Sequence, residues 1–366
     1  MSHSLFSRKH IVGLDVGHRW IRVADVHPSG NGWHISRCGK IETPPDSVKE
    51  GVVVDPASVG SEIRQLLRDM HISPSSAAMA VGGGTVMVRV VRMPQMSETT
   101  LRKSIRFEAG RYVPTSVDDS YIEFEIIEAA DENQMDVLMV AAPKDVVDSR
   151  THACELAGLE CAAVDVETFS AYRTLIESNP DSEWQNQTVA LLDIGGGKTN
   201  LSVIRGGVFV MTRSLPQGGQ LLTEALMQYF KLSEEEAEQG KAQLDLRLLI
   251  NDSGPQENPP LRVVQPHVDD LVREVRRSLN YYQSQLAEGE HSKNVDAVLI
   301  TGGGAKLAGL DEYMEHKLKL PTKTLGLFSN SRFVHGDGGD ESDGLELSVV
   351  AGLAMRSHFH PHRNAA

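Results

Sequence analysis

The sequence predicts an α/β protein in which two related lobes close around one cleft, with a small split βαβ domain inserted into the first lobe. Three observations predict this architecture. A strand, an Asp-Gly turn and two further strands occur at residues 10–41 and again at residues 188–214. The segment between them, residues 87–166, has the order β-α-β-β-α-β. The 366 residues are also too many for one ordinary core.

The four strands of the first lobe are predicted from short runs of apolar and β-branched residues. They lie at His10–Val16, Trp20–His27, Gly32–Ile41 and Ser76–Val81. A helix is predicted at Ser58–Met70, because its apolar residues recur at helical spacing. The first three strands form a meander, and the helix leads into the fourth.

The inserted segment is predicted to hold four strands and two helices. Its strands lie at Val86–Met93, Tyr121–Ile127, Asp136–Ala142 and Ala162–Val166. Ser97 is suited to cap the first helix, which we expect to run to Arg111 and to stop at Pro114. The polar tract Asp131–Gln134 predicts a hairpin loop. The second helix is predicted at Lys144–Ala157.

The second half repeats the opening pattern and then turns helical. Its strands are predicted at Val189–Asp193, Asn200–Ile204, Val208–Ser214 and Ala297–Thr301. Its helices are predicted at Gln220–Phe230, Ser233–Leu249, His267–Leu286, Leu310–Leu318 and Glu346–Arg356. The acidic, glycine-rich segment 329–344 predicts a mobile loop, and the His-rich tail 358–366 is expected to be disordered.

Composition excludes several classes of protein. The chain is 40% hydrophobic and 23% charged, which is typical of a globular protein. A formal net charge of −14 argues against a nucleic-acid-binding surface and against general adhesion to anionic lipid. Cys38, Cys154 and Cys161 form no CxxC pair, so we expect neither a disulfide framework nor a cysteine zinc site. No run approaches the roughly 20 apolar residues of a membrane span, and we expect a cytoplasmic protein.

Asp15 and Asp193 each end an apolar strand and are followed by a glycine turn. Backbone N–H groups in such turns can point at phosphate oxygens, and glycine lets the chain approach closely. A carboxylate at the strand end would repel phosphate directly, but it can hold hydrated Mg²⁺ between them. Because each copy opens a matching three-strand meander, we interpret the two turns as a phosphate clamp rather than as two plain hairpins.

A third glycine-rich segment follows the strand Ala297–Thr301. Gly302, Gly303 and Gly304 precede a helix, and such a loop can lie flat against a base and ribose. The spacing is neither GxxxxGK[ST] nor GxGxxG, which excludes the Walker loop and the dinucleotide fingerprint. The sequence therefore predicts a nucleotide site made from three separate turns.

At these three turns the sequence resembles the actin-like ATPase superfamily, whose fold consists of two duplicated ribonuclease H-like lobes. The resemblance implies ATP and Mg²⁺ as cofactors, with Asp15 and Asp193 reaching Mg²⁺ through water. No catalytic residue is assigned beyond Asp193 as a candidate for positioning Mg²⁺ or water. The implied nucleotide-binding residues are Asp15, Gly17, Arg22, Asp193, Gly195, Gly196, Gly197, Thr199, Gly218, Gly219, Glu238, Lys241, Gly302, Gly303, Gly304 and Lys306.

The inserted segment narrows the resemblance to FtsA-like proteins and, among these, to the PilM family of type IV pilus assembly proteins. Phe107–Pro114 and Ala163–Glu167 are the most specific matching segments. The resemblance implies a scaffold that is at most a slow ATPase and binds the cytoplasmic N-terminal tail of a PilN-like inner-membrane protein through its inserted domain. We expect Phe107, Arg111 and Tyr112 near that groove. The alternative is that Phe107 and Tyr112 are core residues of the small domain.

The first turn departs from the family pattern DIGSSSxK. Bulky His18, Arg19 and Trp20 replace small residues, and Arg22 stands where lysine is expected. Arg22 can still meet a phosphate, whereas His18 is expected to crowd the site of the β- and γ-phosphates. The sequence therefore predicts nucleotide binding more strongly than hydrolysis.

We divide the chain into a first lobe, an inserted unit, a second lobe, a small subdomain and a tail. The boundaries are 8–86 with 167–186 and 345–357, then 87–166, then 187–230 with 266–344, then 231–265 and 358–366. Two other functions remain open. An FtsA-like ATPase would form filaments, and homo-oligomers are compatible with this fold. A sugar-kinase-like phosphotransferase would need a sugar-binding insert, for which the sequence has no candidate.

Overall fold

The structure is a computed structural model that describes residues 10–113, 116–129, 133–250, 258–286, 294–335 and 344–359. Several predictions fall outside these residues: the helix stop at Pro114, the start of the Asp131–Gln134 loop, the acidic centre of 329–344 and the tail beyond Phe359. No helix among the described residues is both long and apolar enough to cross a lipid bilayer.

The first lobe begins with the predicted meander. Its elements are β1 (Ile11–Val16), β2 (Trp20–Ser29), β3 (Gly32–Glu42), the short β4 (Val48–Lys49) and β5 (Val52–Val53), α1 (Pro56–Asp69) and β6 (Ser76–Val81). β1 pairs antiparallel with β2 and parallel with β6. Asp55 caps α1 by accepting a hydrogen bond from the Ser58 N–H, and Pro56 occupies the first turn, where no N–H partner is needed.

The next segment has the predicted order of elements. They are β7 (Met87–Pro94), α2 (Glu98–Ala109), β8 (Ser120–Ala129), β9 (Gln134–Pro143), α3 (Lys144–Leu156) and β10 (Glu160–Val166). Ser97 caps α2 as predicted, accepting from the Thr100 N–H. Only β7, β9 and β8 form the small sheet, in that order, and the apolar face of α2 packs on it through Leu101, Ile105 and Ala109.

The prediction that α3 and β10 belong to the inserted domain is wrong. β10 pairs in parallel with β6 of the first lobe. α3 packs on α1, and Ala153 and Cys154 lie in the first-lobe core. Gly60 of α1 permits this contact, because a Cβ there would lie 2.9 Å from the Ala153 carbonyl oxygen. The inserted unit is therefore smaller than the sequence indicates, and the chain returns to the first lobe at α3.

The second lobe follows α4 (Glu167–Tyr172) and a π-helical turn at Arg173–Glu177. Its elements are β11 (Thr188–Ile194), β12 (Thr199–Arg205), β13 (Val208–Leu215), α5 (Gly219–Phe230), α6 (Glu234–Ala242), α7 (Pro259–Ser284), β14 (Ala297–Thr301), α8 (Leu310–Leu318) and β15 (Thr322–Thr324). The sheet order is β13-β12-β11-β14-β15. The antiparallel meander with a parallel strand beside its first member repeats the first lobe.

Two helices of this lobe differ from prediction. The predicted Ser233–Leu249 helix ends at Ala242, and a separate short turn at Leu246–Leu249 starts where Asp245 accepts from the Arg247 N–H. α7 begins at Pro259 rather than His267, because Asn258 caps it and its two prolines occupy first-turn positions.

The chain ends in the first lobe. β16 (Phe333–His335) pairs parallel with β3 within the segment predicted as a loop. α9 (Ser348–Phe359) packs on β1, where a Cβ at Gly13 would lie 1.9 Å from the Val350 carbonyl oxygen. α9 also includes His358 and Phe359 of the predicted tail, and both rings contact Trp33.

Candidate functional site

A cavity of about 810 Å³ lies between the two lobes. Its walls come from the turns after β1, β11 and β14, the start of α5, and one face of α6. The volume lies in the range of small-molecule sites, roughly 300–1,000 Å³. The duplicated topology brings the carboxyl ends of β1 and β11 to the same cleft.

Most of the residues predicted from the three turns line this cavity. They are Asp15, Gly17, Arg22, Asp193, Gly195, Gly196, Gly197, Gly218, Gly219, Glu238, Lys241, Gly302, Gly303, Gly304 and Lys306. Thr199 is the exception. It is fully buried in β12, and its hydroxyl donates to the Gln217 carbonyl oxygen at 2.6 Å. Its part in the site is to hold the turn before α5.

Glycine is required where the turns of the second lobe meet. A Cβ at Gly218 would lie 2.2 Å from the Gly196 carbonyl oxygen, and one at Gly304 would lie 2.3 Å from the Ile194 side chain. Gly302 has φ +88°, a left-handed conformation. The first N–H groups of α5 donate to the carbonyls of Gly195 and Gly196. The second turn and the start of α5 therefore form one rigid surface.

Three carboxylates gather in the cavity: Asp15, Asp193 and Glu167. Burial, followed by the charges of Glu167 and Asp15, raises the pKa of Asp193 to about 7. Burial and the Glu167 charge also raise the pKa of Asp15, although Arg22, 3.9 Å from it, opposes the shift. Removal from water and the neighbouring carboxylates therefore make the charged forms of Asp15 and Asp193 unfavourable, despite the nearby cations.

Glu167 was missed as a site residue, although its segment was singled out for the family resemblance. It begins α4, directly after β10. Lys198 lies 2.9 Å from its Oε2, and Asn200 donates to the same oxygen at 2.6 Å. Burial alone would raise the pKa of Glu167, but the charge and hydrogen bond of Lys198 hold it below its usual value. The parallel β10–β6 pairing, which the sequence prediction lacked, brings it into the cleft.

Glu346 is a second carboxylate that the sequence prediction missed. Lys40 donates to it at 2.8 Å, and Arg22 and Lys306 lie 3.8 and 3.5 Å away. Burial would raise the pKa of Glu346, but these cations lower it. Glu346 therefore joins the first-lobe strands β2 and β3 to the Gly302–Lys306 turn.

Glu238 and Lys241 form a bonded pair on α6. Lys241 donates to Glu238 at 2.6 Å and to the Thr223 hydroxyl at 2.7 Å. Arg19, in the turn after β1, lies 3.0 Å from the same Glu238 carboxylate and 3.7 Å from Glu234. This contact crosses the cleft, because Arg19 belongs to the first lobe and α6 to the second.

His18 lies between the two phosphate-type turns. A Cβ on Gly197 would come within 4.0 Å of the His18 ring. Gly17 is fixed by its N–H, which donates to the Trp20 carbonyl at 3.0 Å. The imidazole therefore occupies space that small residues would leave open.

On the inserted unit, the three predicted partner residues differ in exposure. Phe107 on α2 is 74% exposed, so the alternative of a core role is wrong for it. The Arg111 guanidinium lies 5.8 Å from the Phe107 ring. Tyr112 packs against the small core and under Arg89, so for Tyr112 the core alternative fits better.

The chain is similar to known families and structures. The family model described as type IV pilus assembly protein PilM matches residues 13–358. A chain in the solved PilM-PilN type IV pilus biogenesis complex is 26% identical, with a TM-score of 0.80, covering 96% of this chain and 99% of that one.

More distant relatives share the fold. Cell division protein FtsA of Bacillus subtilis (strain 168) is 23% identical over 258 residues, which is 64% of this chain and 57% of that protein. FtsA of Pseudomonas aeruginosa is 22% identical over 87% of this chain and 84% of its own length. MreB5 of Spiroplasma citri bound to AMPPNP is 14% identical with a TM-score of 0.53, covering 97% and 98% of the two chains. The predicted actin-like fold is confirmed.

Proposed function

The chain belongs to the family of type IV pilus assembly protein PilM, and from that membership we propose a cytoplasmic assembly protein that binds Mg²⁺ and ATP between its lobes. Its inserted unit would bind the N-terminal tail of a PilN-like inner-membrane protein, and that contact would keep the chain at the membrane. The observation that carries the nucleotide site is the convergence of three glycine turns and two strand-end aspartates on one cavity.

The chemistry of the cavity walls suggests how ATP would lie. The phosphates would lie between the turns after β1 and β11, beside the N-terminus of α5, where the helix dipole favours negative charge. The ribose and base would lie between the Gly302–Gly304 turn and α6, where Glu238 and Lys241 offer an acceptor and a donor.

The carboxylates fit a divalent cation. Asp15 and Asp193 are partly buried and have raised pKa values, as expected of neighbouring carboxylates that a bound cation would stabilise. They would hold Mg²⁺ through water, and the ion would neutralise charge between them and the phosphate oxygens. Lys198 and Arg22 supply part of that neutralisation from the protein itself.

We assign the site to binding with at most slow hydrolysis. Lys198 and Asn200 both donate to the Glu167 carboxylate, and Lys198 holds its pKa below the usual value, which makes Glu167 a weak base. The His18 ring lies opposite Gly197, in the space between the two turns. Both features favour a cleft that holds nucleotide over one that turns it over rapidly.

The tryptophans allow a direct test of where nucleotide binds. Trp20 lines the interlobe cavity and lies 4.9 Å from Lys40, whereas Trp184 lines a different, smaller pocket. We expect Mg²⁺-ATP to change the tryptophan emission of the full chain. The change should disappear in Trp20→Phe and persist in Trp184→Phe. A signal that survives Trp20→Phe would contradict binding in this cleft.

The partner surface is proposed on the exposed face of α2. Phe107 presents an aromatic ring to solvent, and Arg111 lies over it. Aromatic and arginine side chains together are the residues that carry most binding energy in protein interfaces. An extended peptide bearing apolar and acidic groups would match this pair.

A peptide titration tests the partner assignment. A synthetic peptide copying the cytoplasmic N-terminus of a PilN-like protein should bind the full chain at micromolar concentration. Phe107→Ala should weaken binding by about tenfold or more, on the order of 1–2 kcal/mol. Tyr229→Ala removes a similarly exposed aromatic ring, 67% exposed, from the second lobe and should change nothing. Equal affinities for wild type and Phe107→Ala would exclude α2 as the docking surface.

A further inference from the structure

Two histidines and an aspartate meet on the first lobe, outside the interlobe cavity. His10 immediately precedes β1, and Asp25 and His27 lie on β2. The Nε2 atoms of His10 and His27 lie 2.6 and 3.0 Å from the same atom, Asp25 Oδ1. Their ring centroids are 5.2 Å apart and the rings are stacked.

We propose that His10, Asp25 and His27 form a binding site for Zn²⁺. Two imidazole nitrogens and one carboxylate oxygen are ligands that Zn²⁺ takes in proteins, with a fourth position left to water. The three ligand atoms all lie within 4.8 Å of one another. A tetrahedral zinc site holds its ligand atoms about 3.3 Å apart, so small side-chain rotations are enough to admit the ion.

The backbone directs these side chains to one point. The β2–β3 register shifts between Asp25 and Val26, and such a bulge changes the direction of the side chain beside it. Asp25 and His27 lie two residues apart on β2. His10 is the residue that leads into β1, the strand paired with β2. The site therefore links the residue that precedes β1 to strand β2.

The Ser36 hydroxyl holds the Asp25 carboxylate by a hydrogen bond, as groups beside metal ligands commonly do. The Ser36 hydroxyl on β3 donates to Asp25 Oδ2 at 2.8 Å and leaves Oδ1 to the two histidines. Hydrogen bonds of this kind orient a coordinating carboxylate and strengthen metal binding. Asp25 is almost fully buried, while both histidines are partly exposed, so an ion could enter from solvent.

The chain offers matched controls. His34 lies opposite His27 in the β2–β3 register, but its ring is not part of the three-residue cluster. His360 and His362 belong to the His-rich tail and could bind zinc by themselves. Excess Mg²⁺ in the buffer would occupy the carboxylates of the cleft.

Calorimetric titration of ZnCl₂ into the metal-stripped full chain, with excess Mg²⁺ present, tests the proposal. We expect one equivalent of zinc to bind. Asp25→Asn and His27→Ala should each lose that binding, and Ser36→Ala should weaken it by about tenfold. His34→Ala and the double variant His360→Ala with His362→Ala should retain it.

Cobalt provides an independent readout, because Co²⁺ in a low-symmetry four-coordinate site absorbs visible light. Adding CoCl₂ should produce that absorption in wild type and not in Asp25→Asn. Circular dichroism of each variant checks that it has folded. No bound zinc in wild type, zinc binding unchanged by Asp25→Asn and His27→Ala, or binding lost only in the tail variant would each overturn the site.

Discussion

At the scale of single residues, two carboxyl groups of the cleft, those of Asp15 and Asp193, have raised pKa values. Asp193 has a raised pKa because it is buried beside Glu167 and Asp15. A raised carboxyl pKa means that the folded protein binds this proton more tightly than the unfolded chain does. The stability it contributes is fully present below about pH 3.8 and is lost as pH rises through about 7. A ligand cation would reverse that loss.

Asp193→Asn should therefore stabilise the metal-free protein. The advantage over wild type should grow by about 2–3 kcal/mol between about pH 5 and about pH 8, because the unfolded wild-type chain is ionised there while the folded protein holds the proton until about pH 7. Urea unfolding in EDTA at the two pH values measures it. Asp181→Asn, an exposed site, should show no such growth. A variant less stable than wild type at the higher pH would show that the ionised Asp193 carboxylate does not destabilise the folded protein.

The site residues differed in how far the sequence revealed them. Asp15 and Asp193 were predictable because strand-end aspartates before glycine leave a local pattern. Thr199 belongs to the same pattern but points into the core, since side chains alternate along a strand. Glu167 and Glu346 reach the cleft through the pairing of distant segments, and no local spacing indicates such pairing.

At the scale of elements, the turn before α5 is packed directly against the turn after β11. Gly218 is in extended backbone, so any residue could adopt its dihedral angles. Glycine is required there by space, because the Gly196 carbonyl oxygen occupies the position of a side chain. The phosphate-binding surface proposed for the second lobe therefore depends on the absence of a side chain at Gly218.

Two glycine-to-alanine changes in the second lobe should have opposite effects. Gly218→Ala should lower stability by about 1–3 kcal/mol through overpacking and weaken nucleotide binding. Gly240→Ala, inside α6 with open space around it, should raise stability by about 0.5–1 kcal/mol. Thermal unfolding and ATP titration of the two variants measure both effects. Equal behaviour would refute the close approach of the two turns.

The elements of the chain could be predicted better than their assembly. The strands and helices of both meanders, α2 and α8 were predicted from periodicity and caps. The placement of α3 and β10 was not, because their apolar faces suit either sheet and the choice depends on Gly60 and on the free edge of β6. The domain boundaries given above remain a prediction, except that the inserted unit loses α3 and β10, which pack with the first lobe.

At the scale of the whole molecule, both polar contacts and a shared apolar cluster join the parts. Val88 of the inserted unit and Phe209 of the second lobe belong to one buried cluster, which also includes Leu353 of α9. Across the cleft, Arg19 meets Glu238 and Glu234. Nucleotide that engages Glu238 would compete with Arg19, so its binding would change a contact between the two lobes.

The affinity of the full chain for Mg²⁺-ATP tests the central claim of an interlobe nucleotide site most directly. Calorimetry should give binding at one site in wild type, and no measurable heat of binding in Asp193→Asn. Asp181→Asn, which removes an equal charge from the surface, should bind as wild type does. Wild-type protein that takes up no ATP, or Asp193→Asn that binds it with unchanged affinity, would contradict the account.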